Sequence, residues 1–179
     1  MRAYYVTAIF CALALVQTAI LAGEPLPQKR YSIKEDEPHT GSQVNRERII
    51  GSLPLDKRYS ELTREQRNAL KSLYEQMAED DEPPFPVDGL GPLYRGVAEV
   101  QKQLLRNRFG LGVDGPLALH VQVDSQGKAI SVAAFQSPDP ELTKYAATIA
   151  MLTRYKPAVC GGQPCAMAFP IRIELKSRR

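Results

Sequence analysis

Cys160 and Cys165 are the residues of this sequence with the most distinctive potential chemistry, and four residues, Gly161-Gly162-Gln163-Pro164, separate them. Redox and zinc motifs commonly place two residues between paired cysteines, and no second ligand pair accompanies these two. An even pair in an exported chain, which the N terminus indicates below, is typical of a structural disulfide. We therefore predict a Cys160–Cys165 disulfide. Closing so short a loop contributes only about 2 kcal/mol in the chain-entropy model.

Two further patterns resemble functional motifs but lack the surroundings that those motifs need. The stretch 110–115 fits GxGxxG, yet the dinucleotide-binding motif follows a strand and opens a helix, and here the predicted order is reversed. His120 lies on the polar side of a predicted strand, with Ser125 or Ser131 as an imaginable nucleophile. Nothing in that spacing brings a base, a nucleophile and an orienting group together. We predict that the chain is not an enzyme and has no catalytic residues.

Charge and metal-ligating residues also exclude several classes of function. The chain carries 23 Lys and Arg against 20 Asp and Glu, a net charge of +3, which is too weak to favour nucleic acid as a partner. Histidine occurs twice, and the acidic run 80–82 and Asp36 lack the glycine and spacing of a calcium loop. We predict no metal, no cofactor and no nucleic-acid partner.

The first 23 residues have the pattern of a secretory signal peptide. Arg2 provides a positive start, an apolar run follows, and Ala22-Gly23 precedes the first acid, Glu24. A run of about 20 residues is also long enough to span a bilayer, so a retained membrane anchor stays open. Both alternatives place Glu24 onward outside the cytoplasm. We therefore predict a periplasmic protein or, alternatively, a single-pass inner-membrane protein with a periplasmic domain.

Two segments are predicted between this N terminus and the main domain. The polar, proline-containing stretch 24–58 predicts a flexible leader. The stretch 59–82 predicts an accessory helix that begins at Thr63, with Gln66 at the reciprocal position of a capping box. This helix must stop by the acidic run 80–82, because Pro83 follows, and one face of it is expected to carry Leu62, Leu70, Leu73, Tyr74 and Met77.

The stretch 83–179 predicts one small domain in which helices and strands mix. A helix begins at Pro92, a residue that the first helical position tolerates, and Asp139 caps a later helix that opens with Pro140. Alternation of apolar and polar residues predicts the strands, which cover 117–123, 129–135, 158–160 and 165–175. Pro170 lies inside the last strand and has no amide to donate. That strand should therefore be an edge strand or carry a bulge.

The stretch from Gly115 to Leu175 resembles the TonB C-terminal domain family in the order and spacing of its elements. A strand runs into the turn 124–128, and a second strand and a proline-flanked helix follow. Next come Tyr155-Lys156-Pro157-Ala158, a glycine-containing turn and a final alternating strand with Pro170-Ile171. The resemblance covers about a third of the chain.

The resemblance implies an α+β fold: a small antiparallel three-stranded sheet, plus a short extra strand, with helices packed on one face. In TonB this domain binds a short receptor segment by adding it to an edge strand. Such binding is physically reasonable, because an edge offers unpaired amide and carbonyl groups. By this resemblance the partner-binding edge comprises Ala166, Ala168, Phe169, Pro170, Ile171, Arg172 and Ile173.

The chain also departs from the TonB energy transducers. Its N-terminal apolar segment contains neither His nor Ser, and its leader has no Pro-Glu or Pro-Lys repeat. We therefore predict a stand-alone periplasmic protein that binds an envelope protein or a receptor peptide segment, and that contacts the membrane only if its N-terminal segment is retained. A membrane-anchored TonB-type energy transducer and a cell-wall-associated accessory factor stay open as alternatives, and so does a homodimer.

Overall fold

A computed structural model of the protein describes Ile33 and the residues 53–108 and 113–176. They form an α+β fold with a small antiparallel sheet, as the sequence predicts. The predicted signal peptide or anchor at 1–23 lies outside the described residues, and so does most of the predicted leader at 24–58.

Three α-helices and seven strands make up the described part of the chain, in addition to a short 3-10 helix. The helices lie close to the predicted capping residues, and the longest strands are those with clear alternation. In chain order the elements are the 3-10 helix Tyr59–Glu61, α1 (Arg64–Lys71), β1 (Phe85–Pro86), α2 (Gly91–Asn107), β2 (Gly115–Val123), β3 (Ala129–Gln136), α3 (Pro140–Leu152), β4 (Tyr155–Lys156), β5 (Ala158–Cys160), β6 (Gln163–Cys165) and β7 (Met167–Leu175).

The central sheet has three antiparallel strands in the order β3-β2-β7. Its middle strand, β2, turns alternate apolar side chains into the core, and Leu117, Leu119, Val121 and Val123 are all fully buried. Helix α3 packs against β3 and β2, and helix α2 packs against α3. The buried residues of both helices and of this sheet face form one apolar cluster, which is the core that fixes both sheet edges.

The two pairings of β2 differ in regularity. The β2–β7 register runs unbroken from Gly115 opposite Leu175 to Val123 opposite Met167. The β2–β3 register shifts at two places, between Ala118 and Leu119 and between Gln122 and Val123. Such bulges bend a strand and increase its twist. The β3 side of the sheet is therefore the less regular side.

Helix α1 begins as predicted but ends early. Thr63 and Gln66 form the predicted capping box, with the Thr63 amide donating to the Gln66 side chain at 2.9 Å. The helix ends at Lys71, so the expectation that Leu73, Tyr74 and Met77 lie on one face of it is wrong. The cause is tertiary: Tyr74 leaves the helix to be buried, and its hydroxyl donates to the Ala168 carbonyl in β7.

The segment before the main domain takes part in the same core. Tyr59 and Leu70 are buried in one cluster with the sheet residues. Phe85 lies between the rings of Tyr59 and Phe169, with both centroids 6.0 Å away. From the predicted leader, Ile33 is buried and forms a bridge with Tyr74. This segment therefore contributes to the stability of the sheet.

A charged contact joins the C-terminal end of α2 to the N-terminal end of α3. The Asp139 carboxylate caps α3 by accepting from the Leu142 amide at 2.9 Å, as predicted, and it also accepts from the Arg108 guanidinium. Arg108 bonds Glu141 as well, at 2.8 Å. The hydrogen bond from Arg108 and the cap bond from Leu142 lower the pKa of Asp139 from its ordinary value.

Asp139→Ala is expected to reduce the free energy of unfolding at neutral pH by about 1 kcal/mol, because α3 loses its cap. Asp139→Asn keeps a capping side chain and loses only the partly exposed ion pair, so its effect should be smaller. The folded-state pKa of Asp139 is lowered, so its contribution is complete above the unfolded-state pKa of about 4. It is lost as the pH falls through the folded-state pKa. Urea unfolding at neutral and acidic pH measures this, and a wild-type-to-Asn difference that stays constant down to strong acid would contradict it.

Candidate functional site: the two edges of the sheet

Strand β7, the predicted docking strand, lies at one edge of the sheet. Pro170 is at its middle, directly opposite His120 of β2. This agrees with the expectation that a strand interrupted by proline is an edge strand, because Pro170 cannot donate to a second neighbour. Whether these residues bind a partner stays a prediction.

The tyrosine hydroxyls show which backbone groups of β7 point away from the sheet. Tyr74 donates to the Ala168 carbonyl at 2.8 Å, and Tyr94 donates to the Arg172 carbonyl at 3.0 Å. In an antiparallel strand alternate residues direct their amide and carbonyl groups to the same side. Ala168, Pro170 and Arg172 therefore face the outer edge, and Pro170 brings no donor to it.

The outer edge of β7 is thus partly covered by the protein itself. Tyr74 is only 1% exposed, so its side chain is held firmly over the strand. Burial raises the pKa of Tyr74 well above its ordinary value and that of Tyr94 to about 12. Both hydroxyls therefore remain protonated donors at neutral pH. A peptide strand added here must share or displace these two bonds.

Of the seven residues predicted to form this edge, three are buried and four are half-buried. Phe169 packs edge-on against Phe85 and also contacts the Tyr155 ring at 5.8 Å, so it belongs to the core. Its neighbours on the strand are similarly covered: Pro170 and Ile171 are buried, whereas Ala166, Ala168, Arg172 and Ile173 are half-buried. These residues offer little side-chain surface to a partner.

The opposite edge, strand β3, is open as far as the described residues extend. Ala129 is buried and Val132 is half-buried, but the other residues of the strand are exposed. Ile130 is 53% exposed and Phe135 57%, although both are large and apolar. The strand, Ala-Ile-Ser-Val-Ala-Ala-Phe-Gln, contains no charge, proline or glycine. Charges and prolines are the usual protection of an edge against pairing, so β3 lacks that protection.

The backbone direction in β3 follows from that in β7. Because Pro170 faces outward from β7, its opposite residue His120 directs its backbone groups to β3. Ala133, opposite His120, is therefore bonded to β2. Val132 and Ala134 alternate with Ala133 and direct their amides and carbonyls outward. Among the described residues no strand pairs with this side of β3.

An open cleft extends this edge at the beginning of β3. It has a volume of about 530 Å³ and lies between the β2–β3 turn and the C-terminal end of α3. Lys128 and Ala129 line it from the turn, and Met151 and Leu152 line it from the helix. Leu152 is strongly exposed. The apolar surface next to β3 therefore continues past the end of the strand.

His120 is explained by packing. Its ring lies against Phe135 with the centroids 4.1 Å apart, and the side chain is half-buried. Ser131 pairs with Gln122 in the β2–β3 ladder. The expectation that His120 has no catalytic role stays a prediction. In the GxGxxG-like stretch, residues 110–112 lie outside the described part of the chain.

Cys160 and Cys165 form the predicted disulfide, with their Cα atoms 5.8 Å apart. The bond spans the β5–β6 hairpin. The Asp81 carboxylate accepts from the Gly161 amide at 2.6 Å and so holds the turn of this hairpin. Ala166 alone separates Cys165 from β7, so the disulfide anchors the beginning of that strand. This is a structural role.

Metal clusters and membrane-spanning helices are both absent from the described residues. Among the described residues, no three His, Cys, Asp or Glu side chains come together as a possible metal site. No helix within the ranges 53–108 and 113–176 is both long and apolar enough to cross a membrane.

The fold and its edges define a class: a small α+β module with an exposed sheet edge that carries no charge and no proline. No protein-family model and no curated protein matches the chain. The resemblance to the TonB C-terminal domain family therefore stays a prediction. Pro170 marks β7 as an edge in the sequence, whereas no predicted site residue lies in β3. The sequence does contain a signal for an unprotected edge, because β3 has no charged residue and no proline.

Proposed function

We propose that this chain is a non-enzymatic binding module of the bacterial envelope that captures an extended segment of a protein partner by strand addition. The partner is an envelope protein or a receptor peptide segment. The β3 edge is the receiving strand, in preference to the β7 edge that the TonB resemblance implies. The order of elements on which the predicted resemblance rests supports a binding module, and the Cys160–Cys165 disulfide supports a place outside the cytoplasm.

The contrast between the two edges is the observation that carries the proposal. At β7, Tyr74 and Tyr94 already satisfy outward carbonyls, and Pro170 supplies no donor. At β3, Val132 and Ala134 present donors and acceptors along an exposed strand. Strand addition derives its affinity from such main-chain hydrogen bonds. A peptide therefore forms more main-chain hydrogen bonds at β3 than at β7 and displaces fewer existing ones.

The exposed apolar residues beside β3 supply the second requirement, which is selectivity. Ile130 and Phe135 lie at either end of the strand, and the cleft lined by Met151 and Leu152 follows. An added strand directs alternate side chains to the two faces of the sheet. Apolar side chains of a partner segment can therefore pack on these positions. A partner segment with alternating apolar residues fits this edge.

Ala134→Pro is expected to weaken partner binding about tenfold, because it removes one outward amide donor and places a ring on the docking edge. The β2–β3 ladder should survive, because the Ala134 amide does not point at β2. The full chain, tagged and exported in its native host, is cross-linked in the envelope, and the amount of each captured protein is compared between variants.

Two matched variants control this experiment. Ala134→Val changes the same position but keeps the amide, so it should bind as wild type does. Ala168→Pro removes an outward amide of β7 and should leave binding unchanged. Loss of binding in Ala168→Pro but not in Ala134→Pro would transfer the docking site to β7. Equal binding by all variants with intact circular dichroism would exclude strand addition.

A further inference from the structure

We propose that the β3 edge also pairs with the β3 edge of a second copy of this chain, antiparallel about a two-fold axis, so that two three-stranded sheets join into one six-stranded sheet. This inference rests on the proposed function of β3 as a strand-addition edge. It names one occupant of that edge and makes the dimer a resting form from which a partner segment must release β3.

The outward backbone groups of β3 are complementary to themselves. Val132 and Ala134 each direct one amide and one carbonyl outward. In the antiparallel register that places Val132 of one copy opposite Ala134 of the other, each residue donates to and accepts from its counterpart. Ala133 then lies on the two-fold axis and meets the same residue of the second copy.

The charges at the two ends of β3 favour this antiparallel arrangement. Lys128 precedes the strand and forms an isolated β-bridge with Arg154, so this end has two cations against the one carboxylate of Asp124. Asp139 and Glu141 follow the strand, and both accept hydrogen bonds from Arg108. Antiparallel pairing brings the basic end of one copy to the acidic end of the other. Parallel stacking would place like charges together.

The strand itself contains nothing that opposes self-pairing. All eight residues of β3 are uncharged, so two copies meet without repulsion along the strand. In the register centred on Ala133, the regular stretch 132–134 pairs with the same stretch of the second copy, and Ile130 and Phe135, which lie at the two register shifts with β2, flank it. The two largest exposed side chains of the strand therefore lose water contact on pairing. This contact stabilises the dimer in addition to the backbone hydrogen bonds.

Sedimentation velocity of the full chain over a concentration series measures the association directly. The wild type and Ala134→Val should change from monomer to dimer as the concentration rises. Ala134→Pro should require a concentration at least about tenfold higher to dimerise, because the Val132–Ala134 exchange loses two symmetry-related hydrogen bonds. A wild type that is monomeric throughout, or a dimer that Ala134→Pro leaves unchanged, would overturn the inference.

Single cysteines test the register. Ala133→Cys lies on the axis and should form an inter-chain disulfide on mild oxidation, whereas Thr148→Cys, on an exposed part of α3, should not. Val132→Cys alone should cross-link poorly, but mixed with Ala134→Cys it should form the heterodimer. Equal cross-linking at Ala133 and Thr148 would mean random collision and would overturn the two-fold pairing.

Different results would overturn the proposed dimer and the proposed binding function. A chain that is monomeric at every concentration but whose partner capture depends on the Ala134 amide overturns the dimer and leaves the binding function standing. A dimer that Ala134→Pro dissociates supports the dimer even if no envelope protein is captured through β3. In the second case the proposed function is overturned.

Discussion

Gly127→Ala should be among the most destabilising single substitutions in the protein, with a loss of about 3 kcal/mol or more in the free energy of unfolding. Gly127 has φ of +82° in the β2–β3 turn, a conformation that costs other residues about 1–2 kcal/mol. An added Cβ would also collide with the Tyr155 carbonyl oxygen. The colliding oxygen belongs to the backbone, so it cannot rotate away. The Tyr155 amide also donates to the Gly127 carbonyl at 3.0 Å, which holds the two segments together. The turn and β4 would have to separate.

Gly162→Ala is the matched control for this prediction. Gly162 has φ of +79°, nearly the same as Gly127, but nothing lies within 4 Å of its added Cβ. The free energy of unfolding of Gly162→Ala should therefore fall only by the backbone cost of about 1–2 kcal/mol. Urea unfolding of both variants measures the difference, which isolates the collision with Tyr155. Equal losses would show that the turn does not pack against β4.

Phe85→Ala should lower the free energy of unfolding by about 3–5 kcal/mol, because it empties a fully buried aromatic site. Phe85 is 0% exposed and contacts the rings of Tyr59 and Phe169, so it joins the 3-10 helix segment to β7. The cavity would lie between two parts of the core that are far apart in sequence. Thermal and urea unfolding of the variant measure this loss.

Phe135→Ala makes the same chemical change at an exposed position and should cost at most about 1 kcal/mol. Its ring packs only partly, against His120. The proposed function predicts the opposite ranking for binding: Phe135→Ala weakens docking at β3 while the fold remains intact. A stability loss for Phe135→Ala as large as that for Phe85→Ala would contradict the assignment of Phe135 to an exposed edge.

Local patterns predicted most of the fold. Alternation located β2 and β7, the capping residues Thr63 and Asp139 located two helix starts, and a single proline placed β7 at an edge. Each of these features depends only on residues that are close in sequence, so the sequence alone is sufficient to predict it. The end of α1 could not be predicted in this way. It depends on the burial of Tyr74 against β7, which lies more than 90 residues away.

At the candidate site, too, local features can be predicted from the sequence, whereas tertiary contacts cannot. That β7 is an edge strand follows from Pro170 alone. That its outward carbonyls are taken by Tyr74 and Tyr94 follows only from tertiary structure, because both tyrosines come from distant segments. The absence of charge in β3 is visible in the sequence, but its importance depends on knowing that β3 is the second edge. The preference for β3 over β7 therefore required the fold.

Residue-resolved hydrogen exchange of the full chain, at concentrations where it is monomeric, tests the central claim most directly. The account predicts that the Val132 and Ala134 amides exchange at least about a hundredfold faster than the Ala133 amide, which is bonded to β2. The Ala168 amide of β7, on the edge that Tyr74 covers, should exchange more slowly than that of Ala134. An Ala134 amide protected as strongly as that of Ala133, together with a freely exchanging Ala168 amide, would show that β7 is the open edge instead.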